Sequence, residues 1–363
     1  MIKLAHLVGA RPQFIKAGAI CRALNEGYAN RFQQTLIHTG QHYDTSMSEV
    51  FFKDLDIPMP DTNLEVGSGS HAVQTARIME RLEPVLRSLQ PDVILLYGDT
   101  NSTLAGAVVA SKMGIPIAHI EAGMRSFNHA MPEEINRVLT DHASTFLYCP
   151  SQESVKNLAR EGLIHHDDPS IGKPVVEMVG DVMYDNCRFI QNNVGRRETD
   201  IPYALMTIHR NYNTDDPERL SAILDTVDRT FFSLGWKVRF PIHPRTEKVI
   251  PARDWKSVEL VQPLGFSEMA SLIMGSRMVI TDSGGLQKEA YYFERPIVLL
   301  REETEWVEIF ETGAGVMVGA DPERLEKAIR EFSSNPPQLF PPLYGKGNSS
   351  ALILESLSKY LSR

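Results

Sequence analysis

The sequence predicts an α/β protein made of two doubly wound parallel sheets in succession. Three observations lead there. Short apolar runs alternate with amphipathic helical stretches, most runs end in a polar turn that often carries glycine, and the alternation resumes past about Asp185. Strand–helix alternation requires parallel strands joined by helical crossovers. At 363 residues the chain is too long for one typical core, so two domains are expected. The composition, 42% hydrophobic and 23% charged, is that of a soluble globular protein.

The first half opens on the apolar run 3–9 and then Gly9-Ala10-Arg11-Pro12. Pro12 suits a first helical turn, and Ile15, Ala19 and Ala23 continue an apolar face. A strand at 35–38 ends in Thr39-Gly40-Gln41-His42. Residues 73–89 read as a long amphipathic helix, and 92–97 as a buried strand ending in Gly98-Asp99-Thr100. After a helix through Ala110, strand 116–120 ends in Glu121-Ala122-Gly123, and 146–149 and 175–179 fit two more strands. Pro132 with Glu133 and Glu134 reads as a helix start, where acids are favoured by the dipole alone. In the second half, strands are expected at 203–208, 238–242, 258–261, 278–281 and 296–300. A proline-rich loop at 335–342 then precedes a last amphipathic helix at 350–361. The two Rossmann-like halves join near Gly180.

One stretch organises the rest: Met278-Val279-Ile280-Thr281, the turn Asp282-Ser283-Gly284-Gly285, and a helical run with Leu286, Ala290 and Phe293 at helical spacing. A strand, a glycine turn and a fresh helix N-terminus make an anion cradle. Glu289, farther into the helix, is placed to accept hydrogen bonds from a ribose. In open α/β sheets, ligands bind beyond the carboxyl ends of the strands. In the first half that rule collects Arg11, Gln41, His42, Asp99 and Glu121. In the second it collects His209, Arg210, His243, and Ser283 with Gly284 and Gly285. Two half-sites facing each other across a central cleft would surround one ligand with cations, histidines and carboxylates. Each member also has a plain alternative. Asp99 can cap a helix, His209-Arg210 can be a satisfied loop pair, and Arg11 with Lys16 can be a solvated helix face. Glu121, between a strand and a glycine turn, has no obvious structural job.

Other classes are excluded. A net charge of −9 argues against nucleic acid as a partner. The three scattered cysteines, Cys21, Cys149 and Cys187, read as reduced thiols of a cytoplasmic protein. No run approaches membrane-spanning length, and the first apolar segment is too short for an export signal. The histidines lack metal-site spacing, so no metal is expected. Gly67-Ser68-Gly69-Ser70-His71-Ala72 matches a dinucleotide fingerprint, but the preceding Asp61-Thr62-Asn63-Leu64 is no buried strand, so no NAD is expected.

Taken together, GARPQFIK, TGQH, GDTNST, HIEAGMRS, MPEEINR, TIHRN, TDSGG and KEA occur in an order that resembles the non-hydrolysing UDP-N-acetylglucosamine 2-epimerases over nearly the whole chain. The resemblance implies the GT-B fold, with a C-terminal helix returning to the first domain. Domains of 1–181 plus 347–363, and of 182–346, follow from it. It also implies a homodimer, with neither metal nor redox cofactor. Asp99, Glu121 and Glu133 match acid/base carboxylates of that family, and His209 its active-site histidine. Arg11 and Lys16 would contact the nucleotide phosphates. Ser283, Gly284 and Gly285 would bind phosphate through the helix N-terminus, and Glu289 would hold the ribose. Gln41, His42, Arg125, Arg210 and His243 complete the substrate contacts, with Phe266 and Met269 on the uracil side.

The chemistry agrees with this assignment. The hydrogen on C2 of a 2-acetamido sugar is next to no carbonyl, so a single base cannot simply lift and return it. Without a nicotinamide to oxidise C3, the remaining route is anti elimination of UDP to a 2-acetamidoglucal, then re-addition with protonation from the other face. That route needs a base, an acid and a held diphosphate. The resemblance gives UDP-GlcNAc and UDP-ManNAc as the interconverted pair, feeding cell-surface polysaccharide synthesis. Departures from the commoner family pattern occur at Gln13, at Asn211-Tyr212-Asn213, at Lys288 and at His243-Pro244-Arg245. They resemble the branch acting on UDP-2,3-diacetamido-2,3-dideoxy-glucuronate, which is the alternative. A GT-B glycosyltransferase or a hydrolysing epimerase is the rival of another class.

Overall fold

The computed structural model describes residues 1–40, 52, 55–169, 172–194, 199–242, 244–247, 249–250 and 253–362, the side chains of 244 and 245 excepted. Gln41, His42 and His243, three expected substrate contacts, lie outside the described residues. The chain divides into two compact units, Met1–Asn186 with Leu343–Arg363, and Cys187–Pro342. No described helix is long and apolar enough to cross a membrane. Cys21, Cys149 and Cys187 are buried thiols.

The first unit begins with β1 (Ile2–Val8), α1 (Arg11–Ala23), a π-helical turn at Leu24–Tyr28 and β2 (Phe32–His38). It continues through β3 (Thr62–Asn63), α2 (His71–Leu89), β4 (Val93–Tyr97), α3 (Asn101–Met113) and β5 (Ile117–Ile120). Then come α4 (Pro132–Ala143), β6 (Phe146–Cys149), α5 (Gln152–Arg160), β7 (Val175–Met178) and α6 (Val182–Asn193), in which the division between units falls. Its seven strands are all parallel, in the order β3-β2-β1-β4-β5-β6-β7. Central strands are legible as apolar runs because helices cover both faces: all of β4, Val-Ile-Leu-Leu-Tyr, is buried. Beneath α2, Ile78, Leu82 and Leu86 at i, i+4 and i+8 meet Leu7, Ile94 and Leu96 of the sheet. Thr62 and Asn63, read from the sequence as no buried strand, form a two-residue edge strand against Ile37 and His38, half-buried and exposed respectively.

The second unit runs through β8 (Tyr203–Thr207), the one-turn α7 (Asn211–Thr214), α8 (Pro217–Leu234), β9 (Lys237–Pro241) and α9 (Pro244–Glu247). It goes on to β10 (Val258–Val261), α10 (Phe266–Gly275), β11 (Met278–Thr281), α11 (Gly284–Tyr292) and β12 (Ile297–Leu299). It ends with α12 (Val307–Glu311), β13 (Gly315–Met317) and α13 (Pro322–Ser334). The six strands are again parallel, in the order β10-β9-β8-β11-β12-β13. Caps fix its two long helices. Asp216 accepts from the Glu218 and Arg219 amides, both at 3.1 Å, and Asp321 accepts from Glu323 and Arg324 at 2.9 and 3.0 Å, each just before a proline. Met206, Ile208, Val227, Phe231, Phe240, Ile280 and Val298 are among the residues of its core.

The last helix, α14 (Ser349–Leu361), belongs to the first unit. Asp185 of α6 accepts the Ser349 and Ser350 amides at 3.0 and 2.7 Å, a carboxylate on a helix N-terminus. Tyr148 of β6 donates to Ser356 at 2.9 Å. Both sheets reverse winding beside their first strand, between β1 and β4 in one unit and between β8 and β11 in the other. That reversal is where an open α/β sheet leaves a crevice for a ligand.

Candidate active site

At the first reversal the chain is tied down by a side chain from inside α1. Gln13 accepts from the Gly9 and Ala10 amides at 2.8 and 3.1 Å, and its own amide donates to the Tyr97 carbonyl at 2.6 Å and to Thr103 at 3.0 Å. One buried residue thus joins the end of β1 to the end of β4. A glutamate in its place would lack the donor for Tyr97. Lys16, one turn farther along α1, pairs with Glu121, both side chains being nearly buried. Gly98 makes room for the pair: a Cβ there would lie 3.4 Å from Lys16 Nζ and 3.5 Å from Glu121 Oε2. Glu121 itself adopts φ +78°, a conformation L-residues avoid unless their surroundings impose it.

Asp99 is held by α4. Its carboxylate accepts from Arg137 Nη2 at 2.5 Å, and its carbonyl accepts from Asn136 at 2.9 Å. Arg137 also reaches Glu134 at 3.1 Å. Glu134 is buried and accepts from the Ser126 amide and hydroxyl and the Phe127 amide. Burial acts to raise its carboxyl, but these donors and Arg137 outweigh it and leave it below the ordinary range. Glu133, the residue singled out from the sequence, is exposed on the same first turn. The neighbour that sequence reasoning passed over is the one wired to Asp99. Helical spacing holds the signal, since Glu134 and Arg137 are one turn apart.

Arg125 requires a correction. It was expected to touch substrate, yet its side chain is 1% exposed and bonds Asp141 at 2.7 Å and both oxygens of Glu161 at 2.7 Å. A fork engaged on two carboxylates inside the protein is a structural ion pair.

At the second reversal the organiser is Asp282, wholly buried between β11 and α11. It accepts from the amides of His209 and Arg210, from Asn213 Nδ2 at 3.0 Å, and faces His209 Nδ1 at 3.2 Å. Asp282 therefore orients the strand end carrying His209 and Arg210. Ser283 caps α11 by accepting from the Leu286 amide at 3.4 Å, and Gln287 anchors the Ser283 carbonyl at 3.0 Å. A Cβ on Gly284 would sit 3.7 Å from Arg210 Nη2 and 3.8 Å from Arg301 Nη1, so two guanidinium groups flank the helix N-terminus. Among the described residues, no atom beyond its chain neighbours and the helix's own backbone lies within 4 Å of the same position on Gly285. Arg301 is in turn gripped by Glu305 through two bonds of 2.9 and 3.0 Å. Lys288 is buried with its ammonium 4.2 Å from the Trp306 ring centre. Arg11, Phe266, Met269 and Glu289 are half-buried. Arg301 and Trp306 were not anticipated, because nothing local in the sequence marks residues that approach α11 from the next strand–helix connection.

The first unit therefore gathers carboxylates with a lysine and an arginine, and the second gathers an amide cradle with guanidinium groups. Paired doubly wound units of this kind define an α/β protein of the GT-B type. The chain matches the UDP-N-acetylglucosamine 2-epimerase family description over residues 25–358. It is 42% identical to the UDP-2,3-diacetamido-2,3-dideoxy-D-glucuronate 2-epimerase of Pseudomonas aeruginosa, spanning 99% of this chain and 100% of that one. It is 37% identical to the UDP-N-acetylglucosamine 2-epimerase of Methanocaldococcus jannaschii over 98% and 99% of the two chains. A crystal structure of the M. jannaschii UDP-GlcNAc 2-epimerase in complex with UDP-GlcNAc and UDP superimposes with a TM-score of 0.82, at 36% identity and covering 98% and 99%. The chain belongs to the UDP-N-acetylglucosamine 2-epimerase family and is an epimerase.

Proposed function

We propose that the enzyme inverts C2 of a UDP-2-acetamido sugar without hydrolysis, and that UDP-2,3-diacetamido-2,3-dideoxy-glucuronate is the preferred substrate. The end-to-end 42% identity to the P. aeruginosa enzyme of that name carries the choice, against 37% for the M. jannaschii UDP-N-acetylglucosamine 2-epimerase. The departures at Gln13, Lys288 and the segment after Arg210 support it. UDP-N-acetylglucosamine, which the motifs place first, is the second reading, favoured by the family description.

In the proposed reaction one carboxylate removes the C2 proton while the bond from C1 to the diphosphate oxygen breaks. The C–H electrons form a C1=C2 double bond and UDP departs with the C–O pair. UDP then re-adds at C1 as an acid delivers a proton to the opposite face of C2. Asp99, Glu121 and Glu133 are the proposed acid/base groups, with His209 beside the departing diphosphate. Lys16, already against Glu121, and Arg11 are its proposed cationic contacts, with the α11 N-terminus, Ser283, Gly284, Gly285 and Arg210 holding the phosphates and Glu289 the ribose. No metal or redox cofactor enters this scheme.

Incubation with each UDP-sugar in D₂O tests the reading. Epimerisation places deuterium at C2 in the product mixture, with kcat/KM higher for the diacetamido uronate. A higher value for UDP-N-acetylglucosamine reverses the substrate order. Free sugar without epimerised nucleotide sugar points to a hydrolysing enzyme, and no C2 label to a transferase. A homodimer is the proposed assembly, supported by exposed Val73, Val108, Ile135 and Leu139 on α2, α3 and α4, which pack in sequence; a monomer by light scattering rejects it. The cytoplasm is the proposed location, supported by the three buried thiols.

A further inference from the structure

The turns that carry Asp99 and Glu121 are attached to one buried side-chain pair that the scheme above does not use. Neither His119 nor Asp141 has any exposed side-chain surface. His119 Nε2 lies 2.8 Å from the Gly98 carbonyl oxygen and Nδ1 lies 2.6 Å from Asp141 Oδ1. Asp141 Oδ2 accepts the Gly123 amide at 3.1 Å and Arg125 Nη1 at 2.7 Å. A carbonyl oxygen has no proton to give, so Nε2 must donate. Burial acts to raise the Asp141 carboxyl, but His119 and Arg125 outweigh it and hold it below the ordinary range. Arg125 also bonds Glu161, so the pair belongs to a continuous buried network.

We propose that His119 and Asp141 form a positioning pair for the epimerisation: a buried histidine–aspartate bracket that fixes the Asp99 turn relative to the Glu121 turn. Gly98 immediately precedes Asp99, His119 stands two residues before Glu121, and Gly123 two residues after it. A bracket at these points imposes the left-handed backbone of Glu121 and leaves the two carboxylates one separation. The inference rests on Asp99 and Glu121 acting as acid and base.

The test has two arms. In ¹⁵N-histidine-labelled protein, the ring absent from His119→Asn spectra should carry a slowly exchanging proton on Nε2, the donor to the Gly98 carbonyl; a ring with no proton on Nε2 overturns the bracket. In turnover, His119→Asn should lower kcat at least tenfold with KM and UDP affinity within about threefold, and adding it to Glu121→Gln should slow that variant no further than about threefold. Equal factors on both backgrounds, or a change confined to KM, overturn the positioning role. Should His119→Asn fail to fold, the near-isosteric Asp141→Asn enters the same cycle with the same expectations. Absence of C2 exchange in the wild type removes the epimerase reading and this role together. A failed cycle with an active wild type removes this role alone.

Discussion

Individual side chains here work in pairs, and the pairings decide what substitutions do. Glu121→Gln removes the partner of Lys16, which is also the proposed phosphate contact. Turnover should fall about 10²–10⁴-fold while UDP binding by calorimetry stays equal or tightens. Asp99→Asn should show the same loss of turnover with UDP affinity intact. A drop in UDP affinity with turnover preserved would contradict both assignments. Protonation offers a second handle. His6 is fully buried beside Tyr97, whose hydroxyl lies 2.6 Å from Nδ1, and burial pushes the ring down to about 4 from 6.5. Burial also raises the Tyr97 hydroxyl well above its usual range, so that hydroxyl keeps its proton and donates. The unfolded chain takes up a proton near 6.5 that the folded chain refuses until about 4. The stabilisation is therefore complete above 6.5 and disappears as pH falls to about 4, a loss on the order of 3 kcal/mol. Urea titrations between those values should show it, with a flatter acid limb for His6→Gln. Asp141, lowered below its ordinary 3.8, adds a separate loss only below that value.

Elements meet at distances that leave little choice of residue. Gly123 follows β5 at φ +77°, and a Cβ there would lie 2.3 Å from the Ser154 carbonyl oxygen of α5. Gly162 has a similar φ of +82°, but among the described residues nothing beyond its chain neighbours lies within 4 Å of that position. Gly162→Ala should therefore cost only the backbone conformation, about 1 kcal/mol, and Gly123→Ala clearly more. Denaturation midpoints of the two variants measure the difference. How far each element was legible follows from the same local physics. A strand buried on both faces writes itself as an apolar run, as β4 and β11 do. The edge strands β3 and β13, of two and three residues, are too short to show a period. Helix starts were visible at Pro132 but not which of Glu133 and Glu134 turns inward. That depends on Ser126, Phe127 and Arg137, which the fold brings to Glu134. Arg125 misled for a related reason. A basic residue in a motif-rich turn looks available until its partners, Asp141 and Glu161, arrive from 16 and 36 positions away.

At the scale of the whole chain, two units repeat one winding order, and the candidate residues of each follow from topology more than from any single motif. Strand ends at or next to the two reversals present Asp99 and Glu121 in one unit, and His209, Arg210 and Ser283 in the other. That distribution was readable from the alternation of elements alone, whereas the supporting network of Gln13, Asp282 and His119 was not, since its bonds span 84, 73 and 22 positions. The unit formed by Cys187–Pro342 is continuous, so a fragment of those residues should unfold cooperatively by circular dichroism. The other unit is not continuous. Removing 343–363 strips Asp185 and Tyr148 of their contacts on α14 and should broaden its melting.

The return of α14 has a consequence for biosynthesis. A ribosome finishes the 187–342 unit while its companion still lacks a helix, although that companion was begun first. The nascent amino-terminal half must wait, open along the surface where Tyr148 and Phe146 will later be covered, until α14 is translated. Order of translation and order of completion are reversed, and the exposed interval is where a chaperone would find its binding site.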